Sequence, residues 1–134
     1  MMFLLDTDTL SQVLKRNPSL SLLRRLAEVP SEQQFTTAIN VGELVYGAHR
    51  GPRLEHHLRQ LDERIWPNVH ILPFDRVAGE VYGRLRAELE RNGTPIGEAD
   101  TRIAAIALTH DFTVVTGNVR HFSRVPGLRV ENWI

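Results

Sequence analysis

Five short stretches rich in apolar or β-branched residues recur along the chain: FLL (3–5), QFTTA (34–38), HILPF (70–74), TVVT (113–116) and LRVEN (128–132). The long intervals between them read as helix. Strands separated by helices cannot be joined as hairpins, so they form a parallel sheet covered on both faces, an α/β architecture. FLL is apolar without alternation, as a strand buried on both sides should be. Residues 9–16 predict a helix with Leu10, Val13 and Leu14 on one side. Pro18 opens a second, with Leu20, Leu23 and Leu26 inward and Pro30 beyond its end. INVGELVYGAHR (39–50) is helical until Gly51-Pro52 breaks it, and Leu54, Leu58, Leu61 and Ile65 follow at helical spacing. Val77, Val81, Leu85 and Leu89 mark a long amphipathic helix ending at Asn92-Gly93. The helix holding Ile103 to Leu108 is apolar all round and should be buried. At 134 residues the chain is expected to be one domain, 1–134.

In open parallel sheets, ligands sit beyond the carboxyl ends of the strands, where strand order reverses. Asp6 and Asp8 follow FLL directly and fall in that region. Asp100 begins the buried helix, and its i+3 and i+4 neighbours are Ile103 and Ala104, so it faces a packed direction. A carboxylate there also complements the helix dipole, a role Glu98 serves equally well. Glu43 lies within an otherwise apolar, small-residue helix, where a charge needs a partner. The fourth strand runs into Thr116, Gly117 and Asn118. Asn118 offers a carbonyl oxygen to a hard cation, or simply forms a glycine turn. Together Asp6, Asp8, Glu43, Asp100 and Asn118 are a set of oxygen donors without sulfur. Carboxylates converging on one point repel and rise in pKa unless a cation compensates, and Mg²⁺ or Mn²⁺ suits such donors.

Composition narrows the surroundings. There is no Cys, which excludes disulfides and thiolate metal sites. No secretory leader or membrane-spanning run is visible, so a cytoplasmic protein with no membrane partner is expected. The formal charge is zero, which argues mildly against nucleic acid. All the basic residues except Lys15 are arginines, however, and arginine suits phosphate. Arg50, Arg53, His56, His57 and Arg59 form one basic patch, whose plain reading is a solvated helix face. Arg120, His121 and Arg124 form another, just past a strand end.

Two chemistries begin with a buried strand ending in D-x-D. An aspartyl-nucleophile phosphatase needs Thr or Val where Leu10 stands, and a Lys near the phosphate. The only lysine, Lys15, should lie two to three turns along a helix leading away. The same shortage counts against a phosphorylated receiver domain. Metal-dependent phosphodiester hydrolysis needs no lysine.

The segments FLLDTDTLSQVLK (3–15), TTAINVGELVYGA (36–48), ILPFD (71–75), PIGEADTRIAA (95–105), TVVTGNVRHF (113–122) and GLRVENW (127–133) carry a resemblance, by their order and spacing, to the PIN-domain ribonucleases. Within these it is to the VapC-type toxins of bacterial toxin–antitoxin pairs. The resemblance implies a three-layer α/β/α PIN-like fold with a short parallel sheet of four to five strands. It implies an acidic Mg²⁺ site, with Mn²⁺ a substitute, in which Asp6, Glu43 and Asp100 hold the metal. Asn118 stands where many members carry a fourth acid. Asp8 and Thr116 would support the site or touch substrate, and Arg120 and His121 would hold the RNA backbone. It further implies endonucleolytic cutting of RNA such as tRNA or ribosomal RNA, a small VapB-like antitoxin, and a homodimer. The rival from another class is a PIN-like module that binds RNA or protein without cutting.

Overall fold

The computed structural model describes residues 1–134. Five parallel strands form one sheet: β1 (Phe3–Leu5), β2 (Gln34–Thr37), β3 (His70–Leu72), β4 (Thr113–Val115) and β5 (Val130–Glu131). Their order is β3-β2-β1-β4-β5, with Leu4 of β1 paired to Phe35 on one side and Val114 on the other. The helices are α1 (Thr7–Val13), α2 (Leu20–Glu28), α3 (Ala38–Arg50), α4 (Leu54–Gln60), α5 (Arg76–Arg91), α6 (Glu98–His110) and α7 (Val119–Phe122).

The alternation of side chains along a strand decides which layer each residue joins. Leu4 and Val114 point into one core with Leu85, Leu89, Ile103, Ile106 and Phe122, beneath α5, α6 and α7. Phe3, Leu5 and Val115 point into the other, with Leu10, Leu22, Leu61, Ile65 and Trp133. The expected three-layer α/β/α arrangement is therefore observed. β1 is central, and the chain builds outward to β3 before returning to β4 beside β1. Strand order reverses between β1 and β4, and that junction places the site.

Several expected boundaries shift. α1 begins at Thr7, immediately after the extended Asp6, and ends at Val13 instead of spanning 9–16. In α2 the inward residue is Leu22, while Leu20 is 70% and Leu23 37% exposed. Ser19 caps this helix by accepting from the Leu22 N–H, and Leu22, Leu26 and Val29 then form the i, i+4, i+7 stripe on the core. β3 stops at Leu72 because Pro73 has no N–H to continue the ladder, and as an edge strand it is exposed, not buried on both faces. β2 stops at Thr37, which caps α3. β4 ends at Val115 and β5 covers only 130–131. The stripe through Ile65 leaves α4 as a π-helical turn (Leu61–Ile65) and a 3-10 turn (Trp66–Asn68). α7 was not expected from the sequence.

Candidate active site

Asp6 is the last extended residue of the central strand, 6% exposed, and its N–H bonds to the Val115 carbonyl at 2.9 Å. Its carboxylate Oδ1 accepts from the Asn40 amide at 2.9 Å, and Oδ2 from the Thr116 hydroxyl at 2.8 Å. Burial pushes the carboxyl up to about 6, and the charges of Asp8 and Asp100 add to the rise. The Thr7 backbone N–H and the Thr116 hydroxyl work in the opposite direction.

Asp8 lies in the first turn of α1, exposed, with Oδ2 accepting from the Gly117 N–H at 2.9 Å. A Cβ at residue 117 would sit 2.8 Å from that oxygen and 3.4 Å from Cδ1 of Ile134. Glycine is what lets the backbone after β4 close on Asp8.

Glu43, on the inner side of α3, accepts a 2.7 Å hydrogen bond from the Thr7 hydroxyl at Oε1. Asp100 stands in the first turn of α6, which starts from Gly97 at φ 94°. Burial raises its carboxyl, His121 pulls it back, and the charge of Asp8 raises it again. Asn118 turns its amide nitrogen, not its carbonyl, toward this acid: Nδ2 is 3.5 Å from Asp100 Oδ2 and 3.1 Å from His121 Nδ1. The expected carbonyl ligand is thus not presented in this arrangement, because the amide is shared between an acid and an imidazole. His121 Nδ1 lies 3.4 Å from Asp100 Oδ2. Thr116 holds Asp6 from one side and accepts the Asn118 backbone N–H at 3.0 Å on the other. Arg120 is exposed on α7 and bonds to none of these groups.

Asp6, Asp8, Glu43, Asp100 and Asn118 line one open cleft of about 400 Å³, shared with Thr7, Ser11 and Lys15 and without an apolar side chain. The acids surround this space, but no three acidic or histidine side chains close into a ready-made ion cage. An oxygen-only donor set in which burial first, and acidic neighbours second, raise the Asp6 carboxyl has the chemistry that suits a hard divalent cation.

Lys15 does not lead away from the strand end. Because α1 starts two residues early and stops at Val13, Lys15 follows the helix and returns to the cleft rim. Sequence reasoning also missed Thr7 and Asn40. For Asn40 a signal existed: it lies three residues before Glu43 on the same helix face, after a Thr pair suited to capping.

The profile of the PIN domain family matches residues 3–128. Among curated relatives, the tRNA(fMet)-specific endonuclease VapC of Salmonella typhimurium is 35% identical over 131 residues, covering 98% of this chain and 97% of that protein. Ribonuclease VapC2 of Haemophilus influenzae is 33% identical over 132 residues, covering 98% of each. Among solved structures, DNA-bound VapBC from Salmonella typhimurium superposes with a TM-score of 0.92 at 34% identity, covering 100% of this chain and 99% of that one. FitAcB from Neisseria gonorrhoeae gives 0.89 at 31% identity, covering 98% and 97%.

Proposed function

The chain belongs to the PIN-domain family, and on that premise we propose that it is a VapC-type ribonuclease toxin that hydrolyses RNA phosphodiester bonds at the acidic cleft. The observation that carries this reading is the convergence of Asp6, Glu43 and Asp100 from β1, α3 and α6 on one cleft. Those three residues would hold a divalent cation, Mg²⁺ or in its place Mn²⁺. When bound, such an ion makes water a stronger acid and offsets the negative charge that builds on the phosphate.

The protein's own groups do the rest. Glu43, gripped at Oε1 by Thr7, keeps its second oxygen free to orient the attacking water and take its proton. Attack at phosphorus forms the new O–P bond and breaks the P–O3′ bond. The 3′ oxygen leaves and takes a proton from water as a 3′-hydroxyl, and the other fragment keeps a 5′-phosphate. Thr116 holds Asp6 in place, and Asp8 and Asn118 border the substrate. Arg120, which has no acidic partner, and His121 hold the RNA backbone from α7, with salt-sensitive affinity. The substrate class proposed is structured RNA such as tRNA or ribosomal RNA.

A small VapB-like antitoxin is the proposed partner. An apolar groove of about 520 Å³ lined by Leu14, Leu44, Ala48 and Leu61 adjoins the cleft, sharing Thr7, Ser11, Lys15 and Glu43 with it. A peptide seated there could reach a basic side chain into the acids. Ile71 and Val77, each 47% exposed near the β3 edge, support a homodimer. No helix is long and apolar enough to cross a membrane; the location proposed for the protein is the cytoplasm.

The experiment uses antitoxin-free protein. Wild type should cleave RNA in Mg²⁺ and stop in EDTA, and Asp6→Asn and Asp100→Asn should each lose at least about 100-fold in rate. Cleavage by either variant at the wild-type rate would overturn the site assignment. A non-cutting binding module, favoured by the neutral net charge and by the turned Asn118 amide, predicts binding without cleavage in every sample.

A further inference from the structure

One buried polar side chain beside the cleft has no part in the steps above. Asn40, fully buried in the first turn of α3, bonds at both ends of its side chain, and the direction of every bond follows from one residue. Thr37 Oγ1 accepts from the backbone N–H groups of Ile39 at 3.1 Å and Asn40 at 3.2 Å. Its acceptor positions are then filled, so its single proton points to Asn40 Oδ1 at 2.6 Å. The carbonyl end of Asn40 is fixed by that bond. Its NH₂ must therefore face the opposite way, giving one proton to Asp6 Oδ1 at 2.9 Å and the other to Thr7 Oγ1 at 3.0 Å. Thr7, already accepting, directs its own proton to Glu43 Oε1 at 2.7 Å.

We infer that Asn40 is a positioning residue that sets the mutual orientation of Asp6 and Glu43, acting on the first directly and on the second through Thr7. The chain runs Thr37 to Asn40 to Thr7 to Glu43, with a branch to Asp6, and every donor in it has one place to point. It ties an acid at the end of β1 to an acid one turn into α3, across an element boundary where packing alone would leave each carboxylate free to rotate. A side chain with two donors on one nitrogen is required: a hydroxyl at position 40 supplies one proton and can serve only one branch. A carboxylate there would have the right shape and present acceptors to acceptors. Its effect on cleavage rests on the nuclease reading, while the directed chain of bonds does not.

The test centres on Thr7→Val, which keeps the shape of a partly exposed residue and cuts the chain between Asn40 and Glu43. In full-length protein without added metal, the two side-chain amide protons of Asn40 are followed by ¹H–¹⁵N NMR. Both should exchange far more slowly than those of exposed Asn17, and Thr7→Val should shift and deprotect one while leaving the Asp6-facing proton protected. In RNA cleavage, Thr7→Val should lower kcat by about 10- to 100-fold with KM changed less than about twofold. Combining it with Glu43→Ala should cost no more than Glu43→Ala alone, since Thr7 acts only through that carboxylate. Asn40→Ser should show the larger loss of the two single variants at positions 7 and 40, because one proton cannot serve both branches. Rapid exchange of both amide protons, an unmoved amide pair in Thr7→Val, or losses that multiply in the double variant would each overturn the inference. A wild-type protein that does not cut RNA would instead overturn the nuclease reading, and the amide measurement would then decide the chain of bonds by itself.

Discussion

On one side of the cleft Asp6 is buried, and both its oxygens take hydrogen bonds, of 2.9 and 2.8 Å. On the other side Asp100 is only partly buried, and its nearest partners, the Asn118 amide and His121, stand 3.5 and 3.4 Å away. The difference follows from what carries each acid. Asp6 ends the central strand and is held by Asn40 from the first turn of α3 and by Thr116 just past β4. Asp100 sits at the start of a helix launched from a glycine, opposite a four-residue helix, so its surroundings can give. The tight half is where the cost of gathering charge is concentrated, because its carboxylate is desolvated and cannot turn away. The looser half is where a cation or a phosphate can be accommodated by small movements.

Stability in the absence of metal should break this comparison first if it is wrong. Asp6 has its carboxyl raised from 3.8 to about 6 in the folded protein, so the native state holds its proton longer than the unfolded chain does. Its contribution to stability is therefore highest at low pH and falls as pH rises from about 4 through about 6, by at most about 3 kcal/mol. Asp6→Asn should remove that decline and be the more stable protein above pH 6 in denaturant unfolding. Asp100→Asn should act in the same direction by less, its group being more exposed. Equal gains would erase the distinction between the halves.

The next effect sharpens it. Thr116→Val leaves Asp6 Oδ2 and the Asn118 N–H without partners and should cost about 1–3 kcal/mol, with a further rise of the Asp6 carboxyl. His121→Ala removes the 3.1 Å contact to Asn118 and the 3.4 Å contact to Asp100 from the half-exposed side and should stay within about 0.5 kcal/mol. Thermal unfolding of the two variants at one pH checks the order. The smallest effect belongs to the outer rim: Arg120→Ser should leave stability unchanged and lower the salt dependence of RNA binding by about one unit of slope.

The same contrast explains what could be read from the sequence. The parallel sheet, its two covered faces and the place of Asp6 follow from apolar runs and their spacing, because burial imposes those patterns residue by residue. Asp6, Asp8, Glu43, Asp100 and Asn118 do share a cleft, each having stood out as a polar group at an element end or in an apolar helix. What stayed hidden depends on direction. The inward face of α2 turned on where Ser19 capped it, a shift of one residue that exchanged Leu22 for Leu20 and Leu23. Lys15 reached the cleft because α1 is short. Asn40 carried only the weak signal of its spacing from Glu43, since nothing in composition tells that its amide meets Asp6 from another element. The rotation of the Asn118 amide is likewise set by His121 and Asp100 together.

Titrating Mn²⁺ alone into the full-length protein by calorimetry measures the central claim most directly. The account predicts binding at pH 7.5 that weakens as pH falls through about 6, where Asp6 takes up its proton, and that is lost in both Asp6→Asn and Asp100→Asn. Unchanged binding in either variant, or RNA cleavage by wild type that persists when no divalent ion is bound, would contradict it.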